Sequence, residues 1–263
     1  MSPFFGVFLH GIGGFSAGSF YIPFRKVRRW AWESYWLVQG VAAWLIMPVC
    51  VAALTASDLW TIFSNSPAKS MLWAYLFGLL WGIGGLTFGL SMRYLGMSLG
   101  YALTLGFCAA FGTLIPPLFK NEFGPLFNSL SGWVLLCGVA ICLAGIAVCG
   151  YAGIRKEKEL TDEQKRKTVK EYSLTKGFFV ALFSGIMSAC FAFAISAGEG
   201  VAAAAVAAGT RPIFQNNPVF ILIMAGGFTT NCIWCLILNL RNKSIRDYVT
   251  GTGRLLVSNY LYS

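Results

Sequence analysis

The feature that most constrains this chain is the segregation of its charges. Seven stretches, residues 1–24, 34–57, 70–92, 94–119, 123–154, 177–198 and 212–240, contain no Asp, Glu, Lys or Arg, and each is at least 22 residues long. A helix rises about 1.5 Å per residue, so about 20 residues cross the roughly 30 Å hydrocarbon layer of a bilayer. Inside lipid the backbone must satisfy its own hydrogen bonds, which leaves only helices and closed barrels. Barrel strands alternate polar and apolar residues over about ten positions, and these runs do not. The chain therefore reads as an all-α polytopic membrane protein, a helical bundle of about seven transmembrane helices. Only 11% of its residues are charged. A soluble domain carries about 25%, so there are too few charges here to cover a water-facing surface.

The position of the charges predicts orientation. The first basic residue, Arg25, follows the first apolar run instead of preceding it, which is the wrong order for a cleaved signal. Connections 25–33, the turn at Arg93, 155–176 and 241–257 hold 17 of the 20 Lys and Arg residues, leaving Lys69, Lys120 and Arg211 for the other side. Cytoplasmic loops carry the excess of Lys and Arg. The N-terminus is thus expected in the periplasm, with the basic connections in the cytoplasm of a bacterial cell and the body of the chain in its inner membrane, in contact with the lipid bilayer. The net charge of +10 is a topology signal of this kind, and no nucleic-acid partner is expected. Trp30, Trp32, Trp60 and Trp133 sit near span ends, where amphipathic rings favour the interface.

Candidate chemistry is sparse. The eight cysteines all lie in apolar runs, and Cys232 with Cys235 is a single CxxC distant in sequence from the only histidine. Zinc needs four suitable ligands, so no metal, disulfide or cofactor is expected. No paired carboxylates fall within a span, so no enzyme is expected either. Ionisable groups inside a membrane are rare and usually functional. His10 is the one such group by position, because Glu33, Asp58, Glu122 and Glu199 fall at span ends. Imidazole titrates near neutrality, which makes His10 either a proton-coupling group or a neutral histidine bonded to a neighbouring helix. Gln39, Thr104 and Asn231 are uncharged polar groups within spans. They either bond across helices or face a wet cavity, where Gln39 and Asn231 would contact a neutral sugar. Trp81, on the glycine stripe of its span, is either a stacking surface for that sugar or a packing residue.

Small residues are patterned. His10, Gly14, Ala17, Gly18 and Tyr21 share one face of the first span. Gly78, Trp81, Gly82, Gly85 and Gly89 share one face of the third. Gly14-x-x-x-Gly18, Gly78-x-x-x-Gly82 and Gly85-x-x-x-Gly89 have the spacing that lets helix backbones approach closely. These faces are expected to pack against other helices, and His10 to point toward the bundle. Thr161 and Gln164 fit a capping box for a short solvated helix in the linker, and a short surface helix on the outer side is expected near Val201–Ala208. Five spans precede the linker, and an odd number of spans inverts a second copy. Gly13-x-x-Ser16-Ala17 recurs as Gly185-x-x-Ser188-Ala189, a faint trace of such a repeat.

Two longer stretches carry a resemblance. Phe20–Trp36, FYIPFRKVRRWAWESYW, and Trp81–Tyr101, WGIGGLTFGLSMRYLGMSLGY, resemble the L-rhamnose–proton symporter family of the drug/metabolite transporter superfamily. His10 and Asn231 match a histidine in that family's first span and an asparagine in its seventh. The resemblance implies a ten-helix fold of two inverted five-helix repeats. It also implies secondary active transport, the uptake of L-rhamnose or a related neutral sugar with the proton as coupling ion. On that basis residues 1–154 form the first repeat, 155–176 a cytoplasmic linker, and 177–263 an incomplete second repeat of two helices and the start of a third. The chain is expected to be a truncated form of the ten-helix arrangement that does not transport by itself. A metabolite exporter of the same superfamily is the alternative. A seven-helix receptor is a more distant one, since residues 212–240 lack the lysine that a retinal Schiff base needs.

Overall fold

The computed structural model describes residues 3–19, 22–119, 123–159 and 173–263. Among these residues the structure is helical and contains no strand. In chain order the α-helices are α1 (Pro3–Ser19), α2 (Trp32–Gly40), α3 (Met47–Thr55), α4 (Leu59–Asn65), α5 (Ala68–Leu95), α6 (Met97–Phe119), α7 (Phe123–Asn128), α8 (Leu130–Glu159), α9 (Leu174–Ala197), α10 (Glu199–Ala207), α11 (Asn217–Asn242) and α12 (Gly253–Tyr262). A π-helical stretch, Val41–Ile46, joins α2 to α3, so that Trp32–Thr55 is one continuous span. Among the described residues, six helical segments are long and apolar enough to cross a membrane. The seventh predicted span is the marginal one: the apolar part of α1 is the shorter Phe4–Ala17.

Element ends differ from the uncharged runs for local reasons. α8 continues through Arg155 to Glu159, since a helix that has left the apolar layer loses nothing by running on into charged residues. The capping pair expected at Thr161 and Gln164 lies outside the described residues. The short helix expected near Val201–Ala208 is α10, but Val201, Ala202 and Ala205 are buried, so it is a packed element and not a free surface helix.

The chain divides into two compact units. In the larger, Ala43–Asn231, the residues that touch reveal helix direction. Ser70 Oγ donates to the Ala197 carbonyl, Ser184 Oγ donates to the Gly84 carbonyl at 2.8 Å, and Gly177 meets Leu95, so α5 and α9 run antiparallel. Phe107 faces Gly185 while Gly112 faces Ala189, so α6 and α9 run parallel. Gly106 meets Cys142 and Ile146 while Leu99 meets Gly153, so α6 and α8 are antiparallel. This is the alternation that successive membrane crossings require. The unit has two apolar clusters. One gathers Ile62, Ala74, Ala194, Val201, Val219 and Ile223 from five helices, and the other is built on Leu95, Leu103, Phe107, Ile146 and Ala181.

The smaller unit is Met1–Ala42 with Cys232–Ser263. Here α2 contacts the 3-10 turn Ser244–Tyr248 and α12, and α12 contacts the 3-10 turn Pro23–Lys26. One correction belongs to α1: Phe4–Ala17 is exposed throughout, His10 included, so within its own unit this part of the small-residue face is not packed. Nothing lies within 4 Å of a Cβ built on Gly14. Small residues allow close approach but do not compel it, and α1 offers no polar anchor of the kind found on α5. Tyr21 lies outside the described residues.

Candidate functional site

The crossing of α5 with α11 brings several of the predicted residues together. A Cβ on Gly78 would collide with the Ile223 carbonyl, and one on Gly82 would lie 2.7 Å from the Gly227 carbonyl. Only glycine lets the two backbones come so close. Polar ties reinforce the contact. Thr230 Oγ1 donates to the Leu79 carbonyl at 2.9 Å, and the Tyr75 and Thr229 hydroxyls are 2.9 Å apart. Asn231, 2% exposed, donates Nδ2 to the Gly82 carbonyl at 3.2 Å and to the Gly227 carbonyl at 2.9 Å. The bond to Gly82 joins α11 to α5, and the bond to Gly227 lies within α11. The Trp81 ring packs on Gly227 and meets Trp44 and Phe191 edge-on at 5.7 and 5.2 Å.

The glycine stripe of α5 is only half used. Gly85 and Gly89 have nothing within 4 Å, contrary to the expectation that the whole face packs. Gly84, off that face, is pressed against α9 with its Cβ position 2.6 Å from the Ser188 amide nitrogen. Helix α5 therefore carries two glycine contacts on two sides, which a single stripe does not suggest.

Gln39, in the smaller unit, has a buried Oε1 that accepts no hydrogen bond. An orphaned buried acceptor costs about 1–3 kcal/mol, so this atom is suited to receive a hydroxyl.

Sequence reasoning missed a polar knot in the same unit. Glu33 (4% exposed), Ser34 (0%), Asn239 (1%), Ser244 (7%) and Asn259 (0%) are all buried. Glu33 Oε1 accepts from Ser244 Oγ at 2.7 Å and from Asn242 Nδ2 at 2.9 Å. Asp247 Oδ2 accepts from the Ala31 amide at 2.7 Å and from Ser34 Oγ at 2.8 Å. Asn239 Nδ2 donates to the Tyr248 hydroxyl. Asn259 pairs with both backbone groups of Arg28, at 3.1 and 2.9 Å. Trp30 covers the outer side against Tyr248 and Tyr260. Both carboxylates sit at the N-terminus of α2, where the helix dipole favours negative charge. Burial pushes the Tyr248 phenol above its ordinary value. The sequence signal was present as Glu33-Ser34 together with Asn239, Asn242 and Asn259, but a position at a span end says nothing about burial.

A hollow of about 460 Å³ between α6, α8 and α9 is lined mainly by Leu103, Ile146, Ile154, Leu174 and Phe178. Its lining is predominantly apolar, with Tyr151 and Thr175 as the side chains that carry hydroxyls.

Apolar spans of alternating direction, joined by glycines and buried amides, mark an α-helical multi-pass membrane protein. The chain belongs to the L-rhamnose-proton symport protein (RhaT) family, whose description residues 2–263 match. It is 39% identical over 260 residues to the L-rhamnose-proton symporter of Cronobacter sakazakii, an alignment covering 98% of this chain and 74% of that one. The symporters of an Enterobacter species and of Yersinia pestis are similar at 36% and 35%, with the same coverage. No solved structure matches the chain significantly. The family is one of transporters, not enzymes.

Proposed function

We propose that this chain belongs to a transporter for secondary active uptake of L-rhamnose, or a related neutral sugar, coupled to proton entry across a bacterial inner membrane, with its N-terminus periplasmic, and that residues 1–263 alone do not complete the transport cycle. The observation that carries this reading is the family match over residues 2–263, and the names of the relatives supply the sugar and the ion. Gln39, with its open acceptor, is the substrate contact best supported by geometry. In the larger unit, Trp81 and Asn231 are separately proposed as substrate contacts. His10 is proposed to take part in the proton path, and 1–154 and 177–263 to descend from inverted repeats joined by 155–176.

The test is deletion of the gene in its host. L-Rhamnose added to a weakly buffered suspension should alkalinise the medium in wild-type cells, and this signal should be lost on deletion and restored by a plasmid copy. An unchanged signal in the deletion strain overturns the reading. Restoration of flux by another solute, with none by L-rhamnose, favours a metabolite transporter of the same superfamily.

A further inference from the structure

Resting on that symport reading, we infer that Glu33 is a second group on the proton path, and that the knot around it is the state in which it releases its proton. Glu33 is the one charged side chain buried among the described residues, and it forms no ion pair there. What holds its carboxylate is two donors on one oxygen, Ser244 Oγ and Asn242 Nδ2. Both belong to the segment that follows the apolar part of α11. Donors aimed at a carboxylate favour the charged form.

A proton carrier must hold its proton more tightly in one state than in the other. With these two donors seated, the neutral acid gives way to the anion. The carboxyl O–H bond breaks, the electron pair stays on oxygen, and the proton passes to water at the span end, where Asn242 and Lys243 are exposed. When Glu33 is reprotonated, Oε1 becomes a weaker acceptor, and the grip of α2 on Asn242–Ser244 loosens. The backbone around the knot is consistent with a held state. Arg29 and Lys243 both lie in the left-handed region, at φ 64° and 57°, which costs a non-glycine residue energy that surrounding contacts must offset.

Other titratable groups face the same place. Tyr35 lies on the same helix, Cys235 on α11, and Asp247 and Tyr248 on the following turn. Asp247 is already engaged by two donors of its own, and Arg241, Lys243 and Arg246 point to solvent. With the basic connections in the cytoplasm, the knot lies on the cytoplasmic side, the side on which a symporter importing protons must release them.

The test uses the purified chain in nanodiscs. Infrared difference spectra across pH should show a protonated-carboxyl band that Glu33→Gln removes and Asp247→Asn leaves. Ser244→Ala, which removes one donor, should move the titration of that band to higher pH. At matched neutral pH, amide exchange of residues 242–248 should be about tenfold faster in Glu33→Gln, as expected when a charge-assisted bond becomes a neutral one. In the deletion strain, a plasmid copy carrying Glu33→Gln should restore L-rhamnose exchange but not proton-driven accumulation. A band that survives Glu33→Gln, or a titration unmoved by Ser244→Ala, overturns the inference. If the wild-type copy itself shows no response to L-rhamnose, the symport reading fails, while the band and exchange results still decide the role of Glu33.

Discussion

Asn231 shows how a residue earns its place in a membrane interior. Its amide bridges α5 and α11 through two backbone carbonyls. Interhelical hydrogen bonds in bilayers average about 0.6 kcal/mol, with a maximum near 1.7. Asn231→Ala should therefore lower stability by about 1 kcal/mol in reversible unfolding from mixed micelles. A loss indistinguishable from zero would mean that the glycine contacts alone hold the crossing. Asp58 makes a different prediction at the same scale. It caps α4, accepting from the Trp60 amide and from Thr61 Oγ1. The Thr61 bond, joined by backbone bonds, holds its carboxyl below the usual aspartate range. A depressed carboxyl stabilises the fold above its unfolded pKa, and that contribution disappears as pH falls through the folded value. Amide protection in α4 should accordingly drop on acidification below the ordinary carboxylate range. Asp58→Asn should keep protection flat there, and an identical pH response in the two proteins would remove Asp58 as the cause.

At the scale of elements, α5 distinguishes packing that happens from packing that a motif merely permits. Gly78 faces a carbonyl of α11, and Gly85 faces open space. Gly78→Ala should cost about 1–3 kcal/mol, the usual penalty for overfilling a packed contact, because the obstructing atom is backbone and cannot rotate away. Gly85→Ala should be neutral, or stabilising by up to about 1 kcal/mol, since alanine favours helix. Equal effects at the two positions, measured by the same unfolding assay, would contradict the placement of α11 along α5. Ser184, 0% exposed, adds a polar clasp between α9 and α5 on the other side, where Gly84 permits the approach.

For the whole molecule, the charge distribution predicts which side each connection faces. In a cysteine-free background, an impermeant reagent added from the periplasmic side should label a cysteine at Ser2 and not one at Gln164. The reverse pattern would invert the topology and move the Glu33 knot to the outer face. The helix directions in Ala43–Asn231 fit successive crossings but carry no information about which side is which.

Much of the architecture was legible without coordinates. Long uncharged runs determine spans because lipid cannot satisfy an open backbone, and that argument needs only the order of residues. Seventeen Lys and Arg residues on one set of connections predict orientation for the same kind of reason, a local cost paid at each end of each span. The site was legible only in part. Gln39, Trp81 and Asn231 stand out as polar or aromatic residues in apolar runs, but sequence leaves open whether such a residue meets a neighbouring helix or a ligand. Which glycines touch, which amide closes a crossing, and whether a carboxylate at a span end is buried depend on partners far away in the chain. Glu33 and Ser244 are the clearest case. They are 211 positions apart, neither is unusual in its own segment, and only the tertiary structure placed the serine hydroxyl on the carboxylate, because a hydrogen bond is set by distance in space and not by distance along the chain.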